Sequence, residues 1–283
     1  MTPPTVLETV RRMPLLGLRF RDDVTKEVVS DLRVRLAMPG LAAPADAVTT
    51  PSGVFAWRSL PGLTAWALGD AGPVGTRLAR VSVADPSGRY LAYTVTLPVP
   101  LGDIADVPCG SPQESEPRET RALPLFSAPG RTSPTAMGVV RAALVRAADR
   151  QPAAYATLRV TADTGETARG ICDERGQVAV FLPYPKVARA PGSGPFGARQ
   201  ALTQMQWELA VSASLPDHPL PMPPRGEPPD LCSLLDQAPA LLRTQRTGEP
   251  ARALSSLTLA YGRELVLPVT DPSRPRPELL VGP

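Results

Sequence analysis

Residues 79–96 read ARVSVADPSGRYLAYTVT, and this stretch predicts two antiparallel strands joined by a tight turn. Apolar and polar side chains alternate through Ala79–Val83, which is the period of a strand with one buried face. Asp85–Gly88 follows, with Asp, Pro and Gly at positions that favour a type I turn and its exit. Alternation then resumes over Tyr90–Thr96. The stretch therefore predicts a β-hairpin.

The same alternation recurs along the chain in short runs bounded by glycine and proline. These runs are Leu16–Phe20, Leu32–Leu36, Val54–Trp57, Tyr155–Val160, Gln177–Leu182, Trp207–Leu215, Ser256–Tyr261 and Glu264–Val269, the last two meeting at a hairpin-like turn at Gly262-Arg263. Gly138–Val145 fits a helix and a strand equally well. The 36 prolines among 283 residues leave few windows for long helices. The predicted fold class is mostly β, with two β-sandwich domains of immunoglobulin-like or transthyretin-like type and a short helical insert in the second.

That helical insert is predicted over residues 230–246. Leucine and alanine recur there at i, i+3, i+4 and i+7, the spacing of a helix with one apolar face. Asp230 suits the N-cap, Gly248 lies just past the end, and Pro239 inside predicts a kink or break. We expect a helix that covers an open sheet edge or end. A helix that binds a partner is the alternative.

Proline-rich residues 107–135 divide the chain into a first domain, 1–106, and a second domain, 136–283. Prolines every few residues favour extended backbone in this linker or arm. Part of it is too apolar for a free linker and is expected to pack either on its own chain or in a groove of a partner. The C-terminal tail, 271–283, is a second candidate arm. The candidate partner-binding residues are Leu123, Leu125, Phe126, Leu279 and Leu280.

Charge and cysteine content narrow the compartment and the partners. Lys+Arg is 30 and Asp+Glu is 27, with both signs interspersed, so a nucleic-acid partner is not expected. Cys109, Cys172 and Cys232 are odd in number and lack CxxC spacing, which predicts three reduced thiols in a reducing compartment. No signal peptide and no 18-residue apolar run is apparent. We therefore expect cytoplasmic synthesis and no membrane span.

No motif predicts catalysis, a cofactor or a metal site. His218 is the sole histidine, so no second histidine can complete a metal site, and no nucleophile elbow accompanies it. Residues 192–197 match G-x-G-x-x-G, but a proline precedes the motif and another lies inside it, which predicts a loop.

Acidic and tryptophan side chains have structural interpretations. Asp22, Asp23, Asp163, Asp173 and Glu174 mostly lie in predicted turns, where aspartate bonds its own backbone. No dense D-x-D-x-D run supports calcium binding. A sugar-binding platform of three tryptophans is an alternative, but two lie in alternating strands and favour core packing. The three are Trp57, Trp66 and Trp207.

Two segments share an order of strand, variable excursion, glycine turn, strand and Leu-Pro stop. One runs from Leu32 to Pro61 and the other from Leu158 to Pro183. This order is similar to the carboxypeptidase-regulatory-like, transthyretin-like β-sandwich, with Asp173–Gly176 as the best match and the first copy lacking the aspartate. The resemblance implies non-catalytic packing and display modules. Chance similarity between two Greek-key sandwiches is the alternative.

A longer set of motifs spans roughly residues 15–190. The motifs are Phe20-Arg21-Asp22, Ser52-Gly53-Val54-Phe55, Leu60-Pro61-Gly62-Leu63, Asp85-Pro86-Ser87-Gly88-Arg89-Tyr90, Pro124-Leu125-Phe126-Ser127-Ala128-Pro129 and Leu182-Pro183-Tyr184-Pro185. Together they resemble accessory proteins of phage-tail-like contractile injection systems. The resemblance implies a cap or baseplate adaptor that contacts other subunits, is homo-oligomeric within the assembly and leaves the cell as part of a particle. A carbohydrate- or surface-binding β-sandwich module is the alternative function, with an unrecognised enzyme as a third.

Overall fold

The computed structural model describes residues 16–57, 60–61, 77–99, 109, 122–184, 205–216, 228–246, 248–254, 257–268 and 277–282. Within these ranges the chain forms 19 strands and a single five-residue helix. The prediction of a mostly β fold is therefore confirmed.

The first nine strands form three small sheets. They are β1 (Leu16–Leu18), β2 (Phe20–Asp22), β3 (Arg33–Ala37), β4 (Ala45–Asp46), β5 (Val48–Thr49), β6 (Phe55–Trp57), β7 (Arg77–Ala84), β8 (Tyr93–Val99) and β9 (Leu123–Leu125). The sheet orders are β1-β6-β5, β4-β3-β7-β8 and a parallel pair β2-β9.

The hairpin predicted from residues 79–96 is confirmed. Strands β7 and β8 pair antiparallel, with Val83 opposite Tyr93. Between them Gly88 adopts a φ of 70°, which a residue without a Cβ reaches at low cost, and its N–H donates to the Asp85 carbonyl at 3.0 Å.

The remaining elements are the ten strands of one sheet and a short helix. They are β10 (Met137–Arg146), β11 (Thr157–Ala162), β12 (Thr167–Ile171), β13 (Gln177–Pro183), β14 (Gln206–Leu215), helix α1 (Leu231–Leu235), β15 (Ala238–Gln245), β16 (Arg252–Ala253), β17 (Leu257–Ala260), β18 (Glu264–Leu267) and β19 (Glu278–Gly282). The main path is β12-β11-β14-β15-β19-β10-β13, with β16, β17 and β18 attached to β15, β14 and β10.

This large sheet folds back on itself, because its two end strands meet. At Gly170 in β12, a Cβ would lie 2.6 Å from the carbonyl oxygen of Ala179 in β13, so only glycine allows the close approach. The segment Gly138–Val145, for which the sequence left helix and strand open, forms most of β10.

Two main apolar cores result. The first lies among the three small sheets, and its largest members include Phe20, Phe55, Tyr93, Leu97, Leu125 and Phe126. The second is enclosed by the ten-stranded sheet and includes Val140, Leu144, Leu158, Val180, Leu182 and Leu209. A small third cluster, Val139, Ala179 and Phe181, lies on the opposite face of β10 and β13.

The helix predicted over residues 230–246 is wrong beyond residue 235. Asp230 does cap α1, since its side chain accepts hydrogen bonds from the N–H groups of Cys232 and Ser233 at 3.0 and 3.4 Å. The chain then extends as β15, which is inserted between β14 and β19. Pro239 cannot donate to the carbonyl four residues before it, so a helix cannot continue through it without a break.

The two strands predicted to meet at a hairpin-like turn at Gly262-Arg263 pair differently in the structure. A turn exists at Gly262, whose φ is 69°. The strands on either side of it find other partners, however: β17 pairs antiparallel with β14, and β18 runs parallel to β10. A turn residue alone does not decide which strands pair.

The domain boundaries at residues 106 and 136 stay a prediction. The first core nevertheless contains apolar residues from both sides of these boundaries. Leu123, Leu125 and Phe126 from the predicted linker, and Ile171, Leu231 and Leu234 from the predicted second domain, all belong to the first core. Among the described residues, no helix has the length and apolar character to cross a membrane.

Candidate functional site

Residues 122–131, called here the insertion segment, contain strand β9 and pack on the first core. Its strand β9 lies parallel to β2, with Phe20 opposite Leu123. On its other side, the Leu91 N–H donates to the Phe126 carbonyl at 2.9 Å and the Ala128 N–H donates to the Arg89 carbonyl at 2.8 Å. The segment is thus bonded along both edges.

The candidate partner-binding residues of this segment are buried in their own chain. Leu123, Leu125 and Phe126 lie in the first core, so they offer no exposed surface to a partner. Hydrogen bonds to the region of β2 use the Leu123 N–H and the Leu125 carbonyl. Pro124, which has no N–H, therefore removes no donor from this pairing. The alternative that the sequence left open, packing on the chain itself, describes this segment.

Leu279 and Leu280 are likewise internal. They lie in β19, which runs parallel to β10 and antiparallel to β15, and both side chains are buried. At these positions the predicted C-terminal arm is therefore a central strand of the sheet. The consecutive apolar residues Leu279-Leu280-Val281 are typical of a strand that is covered on both faces, which is the signal that could have indicated it.

At the end of β2, Asp22 is the centre of a buried polar cluster, which we call the Asp22 junction: Asp22, Tyr90, Ser127 and Arg131. The Arg131 guanidinium binds the carboxylate with both of its terminal nitrogens, Nη1 to Oδ1 at 3.1 Å and Nη2 to Oδ2 at 2.5 Å. The Tyr90 hydroxyl donates to Oδ2 at 3.1 Å, and Arg131 Nη1 also donates to Ser127 Oγ at 2.8 Å. Only 2% of the Asp22 side chain and 8% of the Arg131 side chain are exposed.

Rings and backbone groups complete the junction. The Arg131 guanidinium carbon lies 4.9 Å from the Tyr90 ring centroid and 5.6 Å from that of Phe181. The N–H of Val24 and the hydroxyl of Thr25 donate to the same carboxylate at 2.8 and 3.1 Å. The charged pair is therefore both stacked and hydrogen-bonded, as a buried ion pair requires.

The protonation states of the junction follow from these contacts. Burial by itself raises the pKa of Asp22, but hydrogen bonds from Arg131 and Val24 and the Arg131 charge outweigh it, so the pKa lies below 3.8. Burial and the Asp22 charge raise the pKa of Tyr90 to about 12. At neutral pH the carboxylate is charged and the phenol is protonated. Because the Asp22 carboxylate already accepts hydrogen bonds from these donors, its role is to hold the surrounding structure together.

A second ion pair joins the first core to the ten-stranded sheet. Asp23 Oδ2 lies 3.1 Å from Nε of Arg169 in β12, and Asp23 Oδ1 lies 3.0 Å from Lys26 Nζ. Burial raises the pKa of Asp23, but the Arg169 charge and the Lys26 hydrogen bond more than offset it, and the pKa is lowered. The Arg169 guanidinium also lies 5.3 Å from the Phe126 ring centroid.

The insertion segment is held from the other side by β10. Arg141 in that strand donates to the carbonyls of Pro129 and Arg131, the latter at 3.1 Å, and forms an ion pair with Glu264 at 2.6 Å. Val24 packs against the third apolar cluster beside it. The Asp22 junction and its neighbours thus connect the insertion segment, β2 and the outer face of β10 and β13.

A disulfide joins Cys109 and Cys232, whereas Cys172 is free and buried. The prediction of three reduced cysteines is therefore wrong for two of them. The two cysteines are 123 residues apart in sequence. Helix α1 brings Cys232 to Cys109 only in the folded chain, so the spacing of the cysteines could not have indicated this disulfide. The cysteine argument for a reducing compartment falls with it, and cytoplasmic synthesis stays a prediction.

The turn roles predicted for acidic residues are confirmed where hydrogen bonds define them. Asp173 Oδ1 accepts from the N–H groups of Arg175 and Gln177 at 2.9 and 2.8 Å. Gly176 follows with a φ of 73°, where a Cβ would lie 2.4 Å from the Leu144 carbonyl oxygen. Among the residues that the structure describes, no group of three or more His, Cys, Asp or Glu side chains could hold a metal ion.

Core packing is confirmed for two of the three tryptophans. Trp57 is buried and donates from Nε1 to the Ala45 carbonyl at 3.0 Å. Trp207 is buried against Tyr184, with ring centroids 5.2 Å apart. Trp66, His218 and residues 192–197 lie outside the described residues.

Comparison with known proteins finds only distant likenesses. No protein-family model and no curated protein matches the chain. Among solved structures, the Bacillus anthracis TIE protein is 11% identical, with 88% of this chain and 44% of that chain covered and a TM-score of 0.23. This chain therefore spans less than half of the TIE chain.

Two pilus proteins of Lactobacillus rhamnosus GG are similar at the same level. A double mutant of the shaft pilin SpaA is 7% identical, with 95% of this chain and 97% of that chain covered and a TM-score of 0.23. A C-terminal fragment of the pilus adhesin SpaC is 10% identical, with 94% and 97% covered and a TM-score of 0.19. The fold is defined by the strand pairing of this chain itself.

Replacing Leu125 by Ser tests whether the insertion segment belongs to the first core. We expect the free energy of unfolding to fall by about 2–5 kcal/mol, because a buried side chain is lost and a hydroxyl is buried in its place. The matched control is Leu78→Ser, at a side chain that is 65% exposed, where a change within about 0.5 kcal/mol is expected. Urea unfolding measures both. Equal stability of the two variants would contradict the assignment.

Replacing Arg131 by Met tests the Asp22 junction. At neutral pH it leaves the Asp22 carboxylate buried and unpaired, so we expect a loss of about 3–5 kcal/mol in unfolding free energy. The control is Arg146→Met, which removes an exposed pair with Asp149 and is expected to cost at most about 1 kcal/mol.

The Arg131→Met effect depends on pH with a defined sign. In the wild type, the lowered pKa of Asp22 adds stability that is fully present above 3.8, the ordinary value, and is lost as pH falls below 3.8 and through the lower pKa of the folded state. In the variant, burial without Arg131 raises the same pKa, so protonation relieves the unpaired charge. The stability gap should narrow as pH falls, as measured by urea unfolding from about pH 6 to about pH 2. A gap that is constant with pH excludes Asp22 as the cause.

Reduction of the Cys109–Cys232 disulfide should destabilise the fold. Because the bond closes a loop of 123 residues in the unfolded chain, we expect Cys232→Ser to lower the unfolding free energy by about 2–4 kcal/mol. Non-reducing peptide mapping should find the linked peptides, with Cys172 as a free thiol. Three free thiols after aerobic purification would refute the bond.

Proposed function

We propose that the chain is a non-catalytic structural subunit that acts through protein–protein contacts in a phage-tail-like contractile injection particle, as a cap or baseplate adaptor. The observation that carries the proposal is that carboxylates of this chain, which could serve as catalytic groups, are bonded to other groups of the fold. The buried carboxylate of Asp22 is bound by Arg131, Tyr90 and a backbone N–H rather than directed into an open site.

The same use of side chains recurs beyond the junction. Asp23 is held by Arg169 and Lys26, and Asp173 accepts from the backbone of its own turn. Asp85 does the same, accepting from the N–H groups of Ser87 and Arg89 at 3.0 and 2.8 Å. Carboxylates fixed in this way hold a shape, which is what a packing subunit requires.

Hydrogen bonds and a disulfide that fasten the parts of the first core together support a rigid adaptor. The insertion segment is bonded on both edges, α1 packs into the first core, and the Cys109–Cys232 bond secures α1 covalently. A subunit that transmits force between neighbours in a contractile particle must resist deformation, and buried pairs with a disulfide supply that resistance.

The choice of a contractile injection particle comes from the sequence resemblance. Two of the motifs that carry this resemblance can be located in the described residues as follows. Asp85–Gly88 forms the β7–β8 turn, and Pro124–Pro129 lies within the insertion segment. The alternative function, carbohydrate or surface binding, relied on a tryptophan platform. The burial of Trp57 and Trp207 favours the adaptor over that alternative.

The test is recovery of the tagged chain from its native host under gentle lysis. We expect it in a high-mass fraction with other subunits, and negative-stain electron microscopy of that fraction should reveal tail-like particles. The matched control carries Arg131→Met, which weakens the fold and should reduce incorporation. Recovery only as a free monomer that binds glycans would contradict the adaptor and support the alternative.

A further inference from the structure

Helix α1 is held on the first core by a small set of noncovalent contacts. Its buried side chains are Leu231 and Leu234, and both belong to that core. Just before the helix, the Thr94 N–H in β8 donates to the Pro229 carbonyl at 2.8 Å, and the Thr94 hydroxyl donates to the same carbonyl at 3.4 Å. A helix of five residues is not stable by itself in water, so α1 depends on these contacts.

The Cys109–Cys232 disulfide adds a covalent attachment at the same place. Cys232 lies in the first turn of α1, and Cys109 packs against the first core. Both residues are partly exposed, so a small thiol reagent can reach the bond between them. The attachment of α1 therefore includes a covalent bond that a reagent in the solvent can break.

The chain that follows α1 is anchored separately. The Gln237 side chain accepts from the Thr157 N–H at 3.0 Å and donates to the Tyr155 carbonyl at 2.8 Å, in addition to its bond to the Leu234 carbonyl at 3.1 Å. From Ala238 onward the chain is strand β15, paired with β14 and β19. A release of α1 can therefore end at Gln237 and leave the ten-stranded sheet in place.

The first core also contains a polar atom that the closed arrangement leaves unpaired. Tyr93, the neighbour of Thr94 in β8, is fully buried in the same core as Leu231 and Leu234. Its hydroxyl has no hydrogen-bond partner in the described part of the chain, which is unfavourable because the group has given up its bonds to water. Departure of α1 removes two side chains from this core and admits water, which can bind the hydroxyl. The unpaired group therefore favours an open arrangement.

We propose that the Cys109–Cys232 disulfide is a redox latch. In the oxidised chain it holds α1 on the first core, and in the reduced chain residues 228–236 detach while the sheets stay folded. The reductant is a dithiol: by thiol–disulfide exchange it supplies two electrons and two protons, so that the S–S bond is replaced by two thiols and the dithiol itself becomes a disulfide. The inference goes beyond the proposed function, because it concerns two states of the isolated chain.

The open state presents a surface that the closed state covers. The Thr94 N–H loses its acceptor, and the places of Leu231 and Leu234 become an apolar slot. Because N–H groups alternate in direction along a strand, the Thr96 N–H points to the same edge of β8 as that of Thr94. Pro98, the next residue in this series, has no N–H and ends it. Reduction therefore uncovers a short strand edge beside an apolar slot.

Hydrogen–deuterium exchange of the full chain, measured by mass spectrometry, tests the latch. The oxidised protein is compared with protein reduced by dithiothreitol. After reduction we expect exchange to rise by about tenfold or more in peptides that cover residues 228–236 and 93–97, because the tether that opposes local opening is lost. Peptides from β10 and β13 should exchange as before, and reoxidation should restore slow exchange.

Matched variants separate the disulfide from other effects of the reagent. Cys109→Ser/Cys232→Ser should exchange like the reduced wild type without any reductant, and dithiothreitol should not change it further. Cys172→Ala removes the buried free thiol and should respond to reduction as the wild type does.

Three results overturn the proposal. The first is unchanged exchange at residues 228–236 in protein whose Cys109 and Cys232 are shown to be free thiols. The second is faster exchange in β10 and β13 as well, which means that reduction unfolds the whole chain. The third is slow exchange at residues 228–236 in the double serine variant, because the disulfide is then not what holds α1. Each of these results leaves the proposed function standing, since recovery in a particle is measured independently.

Discussion

A buried guanidinium cannot lose its proton, so Arg131 must meet a negative charge wherever the fold places it. Asp22, more than a hundred residues earlier, is that charge, and the surrounding structure brings the two together. The pairing of β9 with β2 sets the register, Tyr90 and Ser127 satisfy the remaining polar atoms, and Phe181 covers the guanidinium. Separating the two groups would leave an uncompensated charge inside the fold, so arrangements of the chain that part Asp22 from Arg131 are strongly disfavoured.

This constraint explains why the two cores meet where they do. Arg131 reaches Asp22 from a segment that Arg141 holds against β10, so the outer face of β10 and β13 is drawn towards the first core. Strand β13 is consequently buried on both faces: Val180 and Leu182 face the second core, while Phe181 faces Val24 and Arg131. Its uninterrupted apolar sequence is the result of that double contact.

Local pattern predicted the strands and turns well, because alternation and turn residues act over a few positions. The hairpin at residues 79–96 and the Asp173–Gly176 turn are examples. Prediction failed where distant partners decide. Ala238, Leu241 and Leu242 continue the helical spacing of the leucines before them, yet pairing with β14 and β19 makes Ala238–Gln245 a strand. Likewise, no local signal could pair Cys109 with Cys232 or Asp22 with Arg131, since each pair is more than a hundred residues apart.

The interleaved first core has a consequence for synthesis. The ribosome delivers β1 to β8 first, but that core is completed by residues 123–126 and then by Leu231 and Leu234 of α1. Until those residues emerge, β2 keeps the edge that β9 later occupies, and an unpaired edge can recruit strands from other chains. The nascent chain therefore has to carry an incomplete apolar surface through most of its translation, which makes it a natural substrate for chaperones that shield exposed strands.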